Sequence, residues 1–172
     1  MKGQSIHQKG QDASQGETLL KPGMILSPAE IALLASVGKS EVSVFSSPKA
    51  AIVASGDELV EINAKPELHQ IRRSNTYAIQ AAMKTLGWEG TQFHLPDQKD
   101  VLLRSLKTIE ENHEVIILSG GVSKGKFDFI PRVLEEIGIK KLFHQVSQRP
   151  GKPFWFGISE KGKAVFALPG IL

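Results

Sequence analysis

The stretch that most constrains the fold runs from Val115 to Asp128. Val115-Ile116-Ile117-Leu118 is a short, continuous apolar run, the pattern of a strand buried on both faces of a parallel sheet. It passes directly into Ser119-Gly120-Gly121-Val122-Ser123-Lys124-Gly125-Lys126-Phe127-Asp128. Ile130, Val133, Leu134 and Ile137 then recur at helical spacing, and Gly138 supplies the stop. The order is strand, glycine loop, helix. Glycines let backbone N–H groups approach a ligand closely, and the helix that follows offers unpaired N–H groups and positive dipole to an anion. Phosphate is the natural guest. Asp128 has two readings, as cap of the following helix or as ligand of a divalent cation beside the phosphate.

The same grammar recurs upstream. Ala50-Ala51-Ile52-Val53-Ala54 is a second continuous apolar run, and it ends in Ser55-Gly56-Asp57-Glu58. Ser74 or Asn75 is placed to cap a helix carrying Ile79, Ala82, Met83 and Leu86, closed by Gly87. A strand is predicted over Thr91 to Leu95. Pro96-Asp97 then opens a helix with Leu102, Leu106 and Ile109 on one face. This strand–helix alternation predicts a mostly parallel sheet with helices on both faces, a three-layer α/β/α fold. Lys141 to Val146 reads as a further strand, and Phe154 to Ile158 pairs with Ala164 to Ala167 through a turn at Glu160-Lys161-Gly162, as antiparallel strands. In open α/β sheets ligands lie beyond the carboxyl ends of the strands. Asp57, Glu58 and Asp128 are thereby expected to share a cleft with the glycine loop.

Residues 1–47 read as a separate, partial unit ahead of the domain at 48–172. Its first residues, to about Ala13, are polar and without period. Ser27-Pro28-Ala29-Glu30 is a capping box with proline at the first helical position, and Gly38 ends the helix. Val42-Ser43-Val44-Phe45 is a candidate strand.

Composition narrows the chemistry. A net charge of +3 and no basic cluster interleaved with aromatics argue against nucleic acid. The absence of cysteine removes disulfides, thiolate metal sites and a cysteine nucleophile. No apolar run reaches membrane-spanning length and the start of the chain lacks a signal-peptide core, so no membrane partner is expected and the cytoplasm is the default location. The five histidines are dispersed and form no paired helical metal motif. Trp88 and Trp155 read as packing residues. Gly120 with Gly125-Lys126 approaches a P-loop, which keeps a P-loop phosphohydrolase in view, but Phe127 stands where the magnesium-binding Ser or Thr belongs. Arg149-Pro150-Gly151-Lys152-Pro153 sets two cations on a stiff turn, suited to an anionic substrate.

Four motifs stand in order: Ser55-Gly56-Asp57-Glu58-Leu59; Gly120-Gly121-Val122-Ser123 with Gly125 and Asp128; Pro150-Gly151-Lys152-Pro153; and Leu168-Pro169-Gly170. Together they resemble the molybdopterin molybdenumtransferase family over nearly the whole chain. Gly10, Asp12, the Gly16-Glu17 turn and the Ser27 helix resemble that family's linker segment. The resemblance implies an enzyme that inserts molybdate into adenylylated molybdopterin with Mg2+, releasing AMP and molybdenum cofactor. A non-catalytic molybdopterin-binding or scaffolding module of the same fold is the alternative. The family's acidic residues of the molybdate and magnesium cleft fall on Glu58, Asp97 and Asp128, with Asp128 and Glu58 toward the metal and Asp12 contributed by the linker segment. Gly120, Gly121 and Ser123 would cradle the pterin phosphate. Lys152 matches the family lysine, Arg149 stands where a lysine is frequent, and Asn75 matches, whereas Arg73 occupies a position often acidic. The family enzymes are homodimers. Their Leu-Pro-Gly motif continues into Asn-Pro and a further domain where this chain reads Ile171-Leu172, and they carry another domain in front. The resemblance therefore makes this chain a central portion of a longer enzyme.

Overall fold

In the computed structural model, which describes residue 6 and residues 8–122 and 129–170, the chain divides into two compact units, 1–45 and 46–172. In the first, Ser27 caps helix α1 (Pro28–Ser36). Its hydroxyl accepts the Ala29 N–H at 3.2 Å, while Glu30 accepts the Ser27 N–H at 2.9 Å, so the capping box is complete. The Ser27 hydroxyl and the backbone N–H groups around the carboxylate hold Glu30 below the usual carboxylate range. Val42 to Phe45 does not form the expected strand. Alternation alone cannot make one: a strand is held by a ladder partner, none is recorded for this segment among the described residues, and Val44 and Phe45 are exposed.

The second unit is built on a six-stranded sheet. Its strands are β1 (Ala50–Ser55), β4 (Gly90–Leu95), β5 (Val115–Ser119), β6 (Lys140–His144), β7 (Trp155–Ile158) and β8 (Ala164–Leu168), in spatial order β4-β1-β5-β8-β7-β6. The first four of that order are mutually parallel, and β7 runs antiparallel between β8 and β6. Two short parallel strands, β2 (Leu59–Val60) and β3 (Ile71–Arg72), form a separate ribbon that the sequence pattern does not announce.

Helix α2 (Asn75–Thr85) covers one face of the sheet, where Met83 and Ile79 pack on Ala50, Ile52, Val115 and Ile117. Helices α3 (Lys99–Asn112) and α4 (Ile130–Glu136) cover the other, where Leu102, Leu106, Ile109, Ile130, Val133 and Leu134 meet Ala51, Val53, Ile116 and Leu118. The layers are thus α/β/α, and every residue of β1 is buried, as its continuous apolar run requires. Ala82 and Leu86 correct the expected α2 face, since both are exposed and Met83 carries the burial. Neither Ser74 nor Asn75 caps α2 with its side chain. Ser74 occupies the cap position in helical conformation, and Asn75, the first helical residue, commits its amide elsewhere. Helix α3 begins at Lys99 rather than at Pro96-Asp97, because Asp97 is engaged with the end of β1. Trp155 is fully buried, in keeping with a packing role. No helix among the described residues is long and apolar enough to cross a membrane.

Leu106 has no exposed surface and sits in the larger of the two core layers. Leu106→Ala is expected to lower the unfolding free energy by about 2–5 kcal/mol, measured by urea denaturation of the chain.

Candidate functional site

The site follows from the crossing pattern of the sheet. Strands β1 and β5 are parallel neighbours, with Ala54 opposite Ser119. The helix after β1 packs on one face and the helix after β5 on the other. The chain therefore leaves the two carboxyl ends toward opposite faces and a crevice opens beyond them, the place where ligands bind in sheets of this kind. A narrow cleft of about 60 Å³ opens there, lined by Ser55, Glu58, Asn75, Thr76, Ser119 and Gly120, with Arg72 and Arg73 on the β3 side and Gly170 beyond β8.

The glycine turn forms one wall. Gly120 has φ +100° and donates its N–H to the Leu168 carbonyl at 3.1 Å. A Cβ at Gly120 would fall 2.6 Å from the Ser55 carbonyl oxygen, so close passage of the β1 and β5 ends requires glycine there. Gly121, with φ +66°, would drive a Cβ into Ile130.

Carboxylates occupy the neighbouring strand ends. Asp57 and Glu58 follow β1 and Asp97 follows β4, whose Leu95 lies opposite Ser55. The Asp97 N–H donates to Asp57 Oδ1 at 3.1 Å, and the Ser55 hydroxyl donates to Asp97 Oδ1. His94 Nε2 lies 3.0 Å from the Gly56 carbonyl and braces the same turn. Across the crevice Asn75 Nδ2 donates to Ser119 Oγ at 2.8 Å. Arg73 lines the β3 side with its guanidinium 2.9 Å from Glu61 and 5.8 Å from the centre of the Tyr77 ring.

Of the residues singled out by sequence, Glu58, Asn75 and Gly120 line one cleft, Gly121 continues the turn, and Asp97 is tied to the cleft wall by Ser55. Arg149 and Lys152 lie in the loop from β6 to β7. Because β6 runs parallel to β1 and β5, that loop sits at the same sheet edge, and the ring of His144, the last residue of β6, reaches the Val122 carbonyl at 3.4 Å. Both cations stand outside the cleft lining itself. Asp12 belongs to the first unit. Ser123 and Asp128, with Lys126 and Phe127 of the P-loop comparison, lie outside the described residues. Sequence reasoning missed Ser55 and Ser119 as side chains with partners, and the β2–β3 wall.

Magnesium fits only in part. No three His, Asp or Glu side chains among the described residues are grouped to hold a metal by themselves. Magnesium, however, is commonly held by one or two carboxylates completed by substrate oxygens and water. Glu58, which lines the cleft, is one such carboxylate, and Asp57, next to it in sequence, accepts the Asp97 N–H.

A crevice with a glycine turn on one wall and carboxylates on the next, at the carboxyl edge of a mostly parallel sheet, places the chain in the class of open α/β domains. Residues 51–172 match the family described as "Probable molybdopterin binding domain", and the chain belongs to that family. It is 40% identical over 170 residues to a molybdopterin molybdenumtransferase of Synechocystis sp., covering 98% of this chain and 44% of the relative. A molybdopterin molybdenumtransferase of Staphylococcus aureus is 35% identical over 98% of this chain and 40% of its own length. Among solved structures, a molybdopterin biosynthesis moeA protein from Pyrococcus horikosii superposes with a TM-score of 0.72 at 34% identity, covering 94% of this chain and 40% of that one. The chain thus spans less than half the length of these relatives.

Gly120→Ala is expected to destabilise the second unit by at least about 1 kcal/mol, through its positive φ and the approach of the new Cβ to Ser55. A thermal scan of the variant checks this.

Proposed function

We propose that this chain is the substrate-binding core of a longer enzyme that inserts molybdate into adenylylated molybdopterin, releasing AMP and molybdenum cofactor. The observation that carries the reading is the meeting of the Gly120-Gly121 turn, Glu58 and Asn75 in one crevice, with Asp97 tied to its wall, in a chain of the molybdopterin-binding family. In this reading residues 1–47 are part of a linker domain and 48–172 the molybdopterin-binding domain.

Molybdopterin carries a phosphate, and the Gly120-Gly121 turn with the Ser123 hydroxyl is suited to cradle it, Gly120 by leaving room for close approach while its own N–H stays on the Leu168 carbonyl. Asn75 fixes the pterin side, and Arg149 and Lys152 supply cationic contacts, the guanidinium as a fork and the ammonium as a point charge. Glu58, Asp97 and Asp128 are the catalytic carboxylates in this reading. Glu58 and Asp128 would hold Mg2+, which when bound neutralises phosphate charge and polarises the bond to AMP. Molybdate enters as substrate. A homodimeric full-length protein and a cytoplasmic setting belong to the same reading.

Titration of the chain with molybdopterin tests the placement. Lys152→Ala is expected to weaken binding by about 1.5–3 kcal/mol, the worth of a hydrogen bond to a charged group; unchanged affinity would put the ligand elsewhere. Asp128→Asn tests the chemistry, because it removes the charge and keeps the size of the side chain, and the cap position of α4 is held by Phe129 rather than by Asp128. In the full-length protein it is expected to abolish molybdate insertion with its melting curve nearly unchanged. Full activity would remove Asp128 from the mechanism.

A further inference from the structure

The crevice is lined by two serines that are arranged alike. Ser55 is the last residue of β1 and Ser119 the last of β5. Both are nearly fully buried, at 4% and 5% exposure. Each pairs with a side chain far away in sequence and half-buried beside the cleft: Ser55 with Asp97 across 42 residues, Ser119 with Asn75 across 44. A buried hydroxyl at a strand end has backbone partners near at hand. These two instead reach to residues that the proposed reaction places at the substrate.

We infer that Ser55 and Ser119 are positioning residues with separate tasks, Ser55 for the chemical step and Ser119 for substrate binding. The inference rests on the proposed roles of Asp97 and Asn75. Ser55 donates to one carboxylate oxygen of Asp97 and so restricts that side chain. The Asp97 N–H on Asp57 restrains the backbone of the same residue, so side chain and main chain are both held. On the other wall, Ser119 accepts from the Asn75 amide nitrogen. That contact sets the amide plane and keeps the Asn75 carbonyl oxygen available as an acceptor for a ring N–H of the pterin. The strand register makes the division structural: Ala54 faces Ser119, so the two hydroxyls belong to adjacent strands and serve opposite walls of one crevice.

The test is steady-state molybdate insertion by the full-length protein, with a thermal scan of every variant. Ser55→Ala is expected to lower kcat about tenfold or more with little change in KM for adenylylated molybdopterin, and Ser55→Thr to restore kcat by returning the hydroxyl. Ser119→Ala is expected to raise KM by a similar factor with kcat retained. A double-mutant cycle guards against mere destabilisation: in an Asp97→Asn background, Ser55→Ala should cost nothing further in kcat, because its effect passes through Asp97. Wild-type rates in both serine variants, the same KM and kcat pattern in both, or additive losses in the Asp97→Asn background would each overturn the inference. Failure of the unmutated protein to insert molybdate would overturn the proposed function instead, so the two are told apart.

Discussion

Complete burial of β1 is the constraint on which the rest of the structure depends. With apolar side chains on both faces, Ala50 to Ala54 can be stable only between two strands that satisfy its backbone and two helical layers that cover it. Parallel neighbours need crossover connections, and covering both faces puts α2 on one side and α3 with α4 on the other. The crevice is a by-product of that solution. Where β1 and β5 end, the chain leaves in two directions, and the polar ends of two apolar strands are left facing one opening.

The energetic contrast across a few residues is large. Burying the apolar side chains of β1 and β5 contributes roughly 1.5–3 kcal/mol for each large one. Immediately beyond, Ser55, Asp57, Asp97, Asn75 and Ser119 make directed polar contacts at the edge of that apolar mass. Such contacts are worth about 1 kcal/mol each in stability, but they restrict rotamers next to a space open to ligand. The core thus acts as the rigid mount, and the hydrogen bonds at its rim aim the groups that the proposed chemistry uses.

Much of the fold was legible because continuous apolar runs and helical periodicity report burial, and burial decided the layers. The strands at Ala50, Thr91 and Val115 and the α3 face at Leu102, Leu106 and Ile109 follow from that signal. Val42 to Phe45 shows its limit, since alternating apolar residues look the same with or without a ladder partner. Strands of two residues, as at Leu59-Val60 and Ile71-Arg72, carry no period at all. At the site, Gly120 and Glu58 stood out by residue type and position. Ser55 and Ser119 did not, because a serine closing an apolar run acquires meaning only when pairing brings it beside a residue more than 40 positions away.

The central claim is that the substrate occupies the crevice between the carboxyl ends of β1 and β5. Backbone amide chemical-shift mapping of the chain during addition of molybdopterin tests it most directly. The account predicts perturbations concentrated at Ser55 to Glu58, Asn75 and Ser119 to Gly121. Perturbations centred instead on the opposite end of the sheet, around Ser47, Gly87 and His113, would contradict it.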